Sequence, residues 1–345
     1  MEYRARLAKQ NINQIDHNLY HIDITYICTN ALYMTLIQLE YIIALDTYRH
    51  FATAADRCHV TQPTLSMQIQ KLEDELGVLL FDRSKHPVLP TEIGINVIEQ
   101  ARAVISAQKQ IVEIVRDAKN EVSGHLKVGV IPTLAPYLLP LFLTSFIERY
   151  PKINLEVEEL LTQQIIEKLK MGLLDVGLVV TPIEDRSITE IPVFYEPFVV
   201  FAAQTHPLLQ QERVDFKDIH AQDMWLLNEG HCLRNQVMNL CEEKAVASQA
   251  LKFLYKTGSL EMLIKIVEQR YGYTLLPALA TLDMPPDRKA LVREFVSPQP
   301  KREVSIIVHR GYLKKKLIEC LKTEILTHIP VSLQDKADGV VVGWT

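Results

Sequence analysis

From Thr35 onward, apolar positions recur at helical spacing. Leu36, Leu39, Ile42, Ile43 and Leu45 mark a first helix, and a second, Phe51 to Cys58, carries the small pair Ala54-Ala55, which permits close helix packing. The stretch HVTQPTLSMQIQKLEDELG, residues 59–77, predicts a third helix. Thr61 is placed to cap it, Pro63 suits its first turn, Leu65, Ile69, Leu72 and Leu76 form one apolar stripe, and Gly77 supplies the stop. Residues 78–90 read as two short strands around a basic turn containing Arg83, Lys85 and His86. Thr91 then caps a long helix running to about Asn120, with Ile98, Val104, Ile105, Ile111, Val112 and Val115 along it. That is more apolar surface than a solvated linker needs, and it points to pairing with a second copy. Residues 1–33 show no sustained periodicity. The expectation for them is a poorly ordered extension, with Met34 as the natural start.

Beyond Gly124 the period changes. HLKVGVI precedes a helical pattern at 136–149, INLEVEEL precedes one at 162–171, and LDVGLVV follows. Such alternation predicts a parallel sheet with crossover helices. A second set comes next: FVVFAA, MWLLN, a helix after Gly230, LKFLYKT, a helix from Ser259, and YTLLPAL. EVSIIVHR and a final helix at about 313–328 are expected to return to the first lobe. The expected layout is a three-helix domain with its hairpin at 34–91, a linker helix at 92–120, and an α/β domain at 125–330. Lobe I is placed at about 125–197 and 302–330 and lobe II at about 198–301, with an irregular tail at 331–345. A cleft between the strand ends of two α/β lobes suits ligand sensing.

Of the 345 residues, 48% are hydrophobic and 23% charged, an ordinary globular balance. A net charge of −5 gives no global basic field, so contacts to nucleic acid must come from locally placed basic side chains and helix N-termini. No apolar run approaches the ~18–20 residues that span a bilayer. Asn11, Asn13, Asp16, His17 and Asn18 interrupt every candidate signal-peptide core. The expected location is cytoplasmic, with no membrane partner. Five scattered cysteines, Cys28, Cys58, Cys232, Cys241 and Cys320, are expected there as thiols, and any disulfide as redox-active rather than structural. There is no Gly-rich phosphate loop, Ser-His-Asp arrangement or H-E-x-x-H motif, and no cofactor is expected.

Three helices followed by a basic hairpin make a winged helix-turn-helix, a DNA-binding fold. Residues 39–83, LEYIIALDTYRHFATAADRCHVTQPTLSMQIQKLEDELGVLLFDR, resemble the signature of the LysR-type transcriptional regulators nearly position by position. The length and order of the remaining elements extend that resemblance to about 34–330. It implies an all-α winged helix-turn-helix domain, a long linker helix, and a two-lobed, Rossmann-like α/β regulatory domain of the periplasmic-binding-protein type. It also implies a homo-oligomer, dimer or tetramer, acting on double-stranded promoter DNA with RNA polymerase as a further partner. By the same resemblance the helix from Gln62 enters the major groove, with Gln62, Pro63, Ser66 and Gln70 toward bases and Thr61 and Thr64 toward phosphates. Glutamine bonds adenine bidentately, whereas serine reads less selectively. Arg83 and Lys85 in the wing are expected to grip phosphate and make affinity salt-dependent. Taken alone, residues 62–76 read equally well as a packing helix with a solvated polar face.

The stretch LLNEGHCLRNQVMNLCEEK, residues 226–244, carries the candidate chemistry. Gly230 ends a strand, so Cys232 is expected at or near a helix start, with His231 before it and Arg234 after it. A helix dipole, an imidazolium and a guanidinium all favour a thiolate there. A thiolate is the nucleophile that a peroxide requires, and its first product is a sulfenic acid. Cys241 lies nine residues downstream, about 13.5 Å along an unbroken helix, whereas a disulfide needs Cα atoms roughly 4.4–6.8 Å apart. The pair closes only if the segment refolds. Two other readings stay open: Cys241 as a small buried apolar residue, and a metal site with His231, although the spacing matches no common zinc signature and no fourth ligand is evident.

Within the LysR-type family, GHCLRNQVMNLC, VIPTLAPYLLP and TLLPALA resemble the peroxide-sensing members. That resemblance implies Cys232 as the peroxidatic cysteine and Cys241 as its resolving partner. It places His231 and Arg234 beside the peroxide, offers the Thr133 hydroxyl to it, lines the pocket with Thr162, and assigns Arg310 as a basic residue favouring the thiolate. Asn235 stands where some relatives carry Asp, keeping a hydrogen bond but losing a charge. The expected function is a hydrogen-peroxide-sensing regulator that switches antioxidant genes and is reset by a thiol reductant of the glutaredoxin or thioredoxin type. Two rivals remain: a LysR-type regulator with a small organic effector between its lobes, and a thiol peroxidase whose DNA-binding module is secondary.

Overall fold

The computed structural model describes residues 34–118, 122–220, 223–240, 258–269, 271–311, 314–334, 336 and 339–343. The extension at 1–33, the expected strand LKFLYKT, Cys28 and Cys241 lie outside the described residues. The chain divides into two compact units, residues 1–105 and 106–345, with the divide inside the long helix that links them.

The first unit opens with α1 (Leu36–Tyr48), whose cap is reciprocal: the Gln38 amide donates to the Thr35 hydroxyl and the Thr35 amide to the Gln38 side chain. α2 (Phe51–Arg57) and α3 (Gln62–Leu76) follow. They meet at a tight turn in which His59 takes a left-handed φ of 56°. Val60 then bonds back to the Ala55 carbonyl. Thr61 caps α3, and Gly77 ends it at φ 68°, where a β-carbon is costly. Leu65, Ile69 and Leu72 are fully buried against Leu45 and Ile42. Each contributes about 1.5–3 kcal/mol by leaving water. The wing is β1 (Phe81–Asp82) antiparallel to β2 (Leu89–Pro90). α4 (Glu92–Ala118) begins beyond Thr91, whose hydroxyl accepts the Gly94 amide and donates to the Leu79 carbonyl. A β-carbon at Gly94 would lie 2.1 Å from the Leu80 carbonyl oxygen, so only glycine lets the helix start this close to the wing.

In the second unit, β3 (Gly124–Val130), α5 (Ala135–Arg149), β4 (Ile153–Glu159), α6 (Thr162–Lys170) and β5 (Val176–Thr181) alternate as expected. β3 pairs parallel with both β4 and β5. The long β6 (Ile188–Ala202) follows, then β7 (Arg213–Val214), α7 (Cys232–Leu240), α8 (Leu260–Gln269), β8 (Tyr273–Pro277) and β9 (Val292–Phe295). β10 (Gln299–His309), α9 (Lys315–His328) and β11 (Gly339–Val341) complete the chain. The sheet runs β4-β3-β5-β10-β6-β9-β7, with β8 on β6 and β11 on β10. It is mixed rather than parallel, because β10 runs antiparallel to both β5 and β6.

β6 serves both lobes. Through Pro197 it pairs with β10, and from Phe198 it pairs with β8 and β9. Two separate apolar cores result, one around Leu138, Phe142, Ile165 and Ile306, the other around Phe201, Val237, Ile264 and Leu275. Two expectations need correction. MWLLN is not a strand: it makes one isolated bridge, Met224 to Tyr273, on the edge of β8 away from β6. The tail is not irregular either, since β11 adds to β10 in parallel register.

Candidate functional site

Gly230, at φ 96°, makes the turn that leads into α7, and Cys232 is the first residue of that helix. The Cys232 side chain is buried, and its sulfur lies 2.9 Å from the hydroxyl of Thr162, the first residue of α6. Two helix N-termini thus converge on one sulfur, the end of a helix that favours negative charge. Burial nevertheless pushes the Cys232 thiol up, outweighing the pulls of the Thr162 hydrogen bond, its own backbone amide and Arg302. His231 is also buried, and burial pushes its pKa down, which works against the imidazolium expected from sequence.

The cation at this site is Arg302, which the sequence reading missed. It is fully buried on β10, directly across from Glu196 on β6. Its Nε donates to the Glu196 carboxylate at 2.8 Å, one terminal nitrogen to the Thr133 hydroxyl at 3.0 Å, and the other to the Thr133 carbonyl at 3.1 Å. Glu196 also accepts the Leu279 amide at 2.7 Å. Burial pushes the Glu196 carboxyl up, and the guanidinium opposes that. The network ties the start of α5, β6 and the turn after β8 to one guanidinium, whose charge acts on Cys232. A charged residue within the apolar run YEPFVVF was the available signal, because an acid there needs a buried partner.

Arg310 is therefore not the basic residue acting on Cys232. It is exposed beyond the end of β10, its amide bonded to the Ser187 carbonyl, eight residues and roughly 26 Å of strand from Arg302. Arg234 also differs from expectation: its guanidinium donates to the Leu227 carbonyl at 3.0 Å and fastens α7 to the preceding segment. Asn235 sits on the exposed side of α7. Thr133, Thr162, His231 and Cys232 are all buried, and the structure brings them together with Arg302.

Cys241 lies outside the described residues, yet α7 sets a bound on the pairing. Cys232 and Leu240 are the two ends of a nine-residue helix, about 12 Å apart. One further residue adds or subtracts at most about 3.8 Å, which leaves more than the roughly 6.8 Å that a disulfide spans. The bond cannot form while α7 is a helix. Beside this centre a cavity of about 470 Å³ opens between the lobes, lined among others by Tyr137, Glu159, Leu161, His231, Ser259 and Glu261. Tyr137 of α5 donates to Glu261 of α8 across it at 3.0 Å.

In the first unit, α3 shows Gln62, Pro63 and Gln70 to solvent and Ser66 partly so. The Thr61 and Thr64 hydroxyls lie 2.8 Å apart at its N-terminus. Lys85 is exposed, 3.9 Å from Asp82. Arg83 is engaged differently from its expected phosphate role. It pairs at 2.7 Å with the buried Glu73 of α3, whose other oxygen accepts the Leu80 and Phe81 amides, and it lies over the Phe51 ring. Arg83 is first of all the fastener of the wing to α3. Among the described residues no cluster of three or more His, Cys, Asp or Glu side chains is arranged to hold a metal, and no helix is long and apolar enough to cross a membrane.

Residues 36–95 match the bacterial regulatory helix-turn-helix protein, lysR family, and residues 119–329 match the LysR substrate binding domain. A hydrogen peroxide-inducible genes activator from Dickeya chrysanthemi is 37% identical over 87% of this chain and 98% of its own length. The DNA-binding transcriptional dual regulator OxyR of Escherichia coli is 38% identical over 81% of this chain and 90% of its own. Among solved structures, a full-length OxyR variant from Pseudomonas aeruginosa is similar with a TM-score of 0.72 and 34% identity, covering 86% of this chain and 99% of that one. These similarities are all to transcription regulators.

Proposed function

This chain belongs to the LysR family of bacterial helix-turn-helix transcription regulators, and from that premise we propose that it senses hydrogen peroxide through Cys232 and switches transcription at a promoter operator. The observation that carries the reading is the Cys232 sulfur at a helix start, hydrogen-bonded to Thr162 and under the charge of the buried Arg302. The Cys232 thiolate attacks one peroxide oxygen. An S–O bond forms, the O–O bond breaks, and a proton joins the leaving hydroxide to give water and a sulfenic acid. The Cys241 sulfur then attacks the Cys232 sulfur, expelling a second water and leaving a disulfide. Two thiols have lost two electrons to one peroxide. A dithiol of the glutaredoxin or thioredoxin type restores them.

Because α7 must unwind for that bond, oxidation changes the shape of lobe II, and this change is the signal passed to the DNA-binding unit. The regulator acts in the cytoplasm as a homo-oligomer, dimer or tetramer, joined through the apolar positions of α4, and the helix α3 reads the operator of antioxidant genes. RNA polymerase is its partner at the promoter. Ile111, Val112, Ile114 and Val115 are exposed on α4 in the single chain, which supports pairing there.

The test is a brief substoichiometric peroxide pulse followed by peptide mass spectrometry. A Cys232–Cys241 link with Cys58 and Cys320 free is the expected result, and oxidation directed elsewhere overturns the reading. One observation favours a second reading, a small organic effector: the cavity of about 470 Å³ is far larger than a peroxide needs. Normal switching by a Cys232→Ser protein would decide for the effector.

A further inference from the structure

The C-terminal strand is held by the same helix that Cys232 begins. β11 pairs in parallel with the first three residues of β10, Gly339 opposite Gln299, Val340 opposite Pro300 and Val341 opposite Lys301. The Val342 amide continues the ladder, donating to the Lys301 carbonyl at 2.8 Å. On its other side the tail meets α7. The Gln236 side-chain amide donates to the Val342 carbonyl at 2.7 Å, and the Asn239 amide donates to the Gly343 carbonyl at 2.9 Å. Gln236 and Asn239 are three residues apart, so they share one helix face only while α7 is helical. Gln236 is fully buried, and its side-chain oxygen has no hydrogen-bond partner. Val342 packs against the apolar core of lobe II. A three-residue edge strand is short for independent pairing, and these side-chain contacts supply what its ladder lacks.

We propose that residues 339–343 form a redox-reporting strap, docked across β10 and α7 while Cys232 is reduced and released when α7 unwinds. This deepens the peroxide-sensing reading and rests on it for the unwinding step. The coupling follows from geometry. No Cys232–Cys241 bond forms on an intact α7, and an unwound α7 no longer presents both amides to the Val342 and Gly343 carbonyls. Thermodynamic linkage makes the effect reciprocal: the docked strap holds α7 helical and opposes closure of the disulfide. It leaves the first step alone, because the strap touches neither Cys232 nor Thr162 in any of these contacts. Cleaving the strap therefore speeds resolution of the sulfenic acid without changing the rate at which it forms.

Hydrogen-exchange mass spectrometry on the full-length chain tests this, before and after one equivalent of hydrogen peroxide, with peptide mapping of the disulfide on the same samples. Losing two hydrogen bonds predicts a roughly 10- to 100-fold drop in protection of residues 339–343 on oxidation. If the disulfide forms and the tail stays protected, the strap is overturned and the sensing reading stands. If no disulfide forms, the sensing reading falls and the strap with it. A Gln236→Met, Asn239→Ala double variant keeps the test independent of oxidation: its tail should lose protection while still reduced, and an unchanged tail there also overturns the proposal. A chain lacking residues 339–345 should form sulfenic acid at the full-length rate and convert it to disulfide faster.

Discussion

The hydroxyl of Thr162 and the sulfur of Cys232 lie 2.9 Å apart, and each belongs to the first residue of a helix, α6 and α7 respectively. A hydroxyl held against a sulfur at two helix N-termini can donate to the thiolate, which lowers the cost of negative charge there. Burial works against it, and burial wins in the resting structure. The thiol is thus shielded yet supplied with the groups that stabilise the thiolate once it forms.

Removing the hydroxyl isolates its share. Thr162→Val keeps the shape and loses the donor. A hydrogen bond to a charged group is worth about 1.5–3 kcal/mol, so sulfenic acid formation at Cys232 should slow roughly 10- to 100-fold. Thr162→Ser should restore most of the rate. Trapping the sulfenic acid with a dione reagent over time measures both, and a Val variant that reacts at the parent rate excludes the hydroxyl from the chemistry.

The pH dependence follows from the same balance. Since burial pushes the Cys232 thiol up, the thiolate is a small fraction at neutral pH and grows as pH rises. The oxidation rate at fixed peroxide is expected to climb with pH and to keep climbing past about 8.5, the ordinary thiol value. A plateau below pH 8 would mean that Arg302 and the helix ends outweigh burial in solution.

Arg302 lies within β10 and Arg310 just beyond its end, and substituting each separates their roles. Arg302→Met leaves Glu196 buried without its cation, and breaking a buried pair costs about 3–5 kcal/mol. Chemical denaturation should show that loss. Arg310 is exposed, and Arg310→Met should change stability by no more than about 0.5 kcal/mol. Cys232 oxidation in the Arg310 variant is expected at the parent rate, and a large slowing there would return Arg310 to the site.

These two arginines also show where sequence reading runs out. Thr61, Pro63 and Gly77 announce α3 locally, and Gly230 before Cys232 announces α7, because caps and left-handed turns are written in adjacent residues. The register of β6 against β10 is written nowhere locally. It brings Arg302 opposite Glu196, from positions 106 residues apart, and leaves Arg310 at the far end. β11 is hidden for the same reason: Gly339-Val340-Val341 is too short to show a period, and its partner begins forty residues upstream. MWLLN failed in the opposite direction, an apolar run that the edge of β8 engages at only one bridge.

In the DNA-binding unit, three side chains expected to touch DNA should behave in three different ways. Gln70 is exposed on α3 with no intramolecular role among its described contacts, so Gln70→Ala should cost about 1–3 kcal/mol at its preferred base and relax the preference there. Lys85 is exposed in the wing, and the proposed neutralisation of one phosphate predicts that Lys85→Ala weakens all sequences alike and reduces the slope of log affinity against log salt by about one. Arg83 is bound to Glu73, which also holds the Leu80 and Phe81 amides, so Arg83→Ala loosens the wing itself. Its signature is a lower melting temperature of the reduced protein without DNA, together with weaker binding. Salt titrations on operator and scrambled duplexes, run beside thermal unfolding of each variant, distinguish the three. An Arg83→Ala protein as heat-stable as the parent but with a shallower salt slope would make Arg83 a phosphate contact rather than the fastener of the wing.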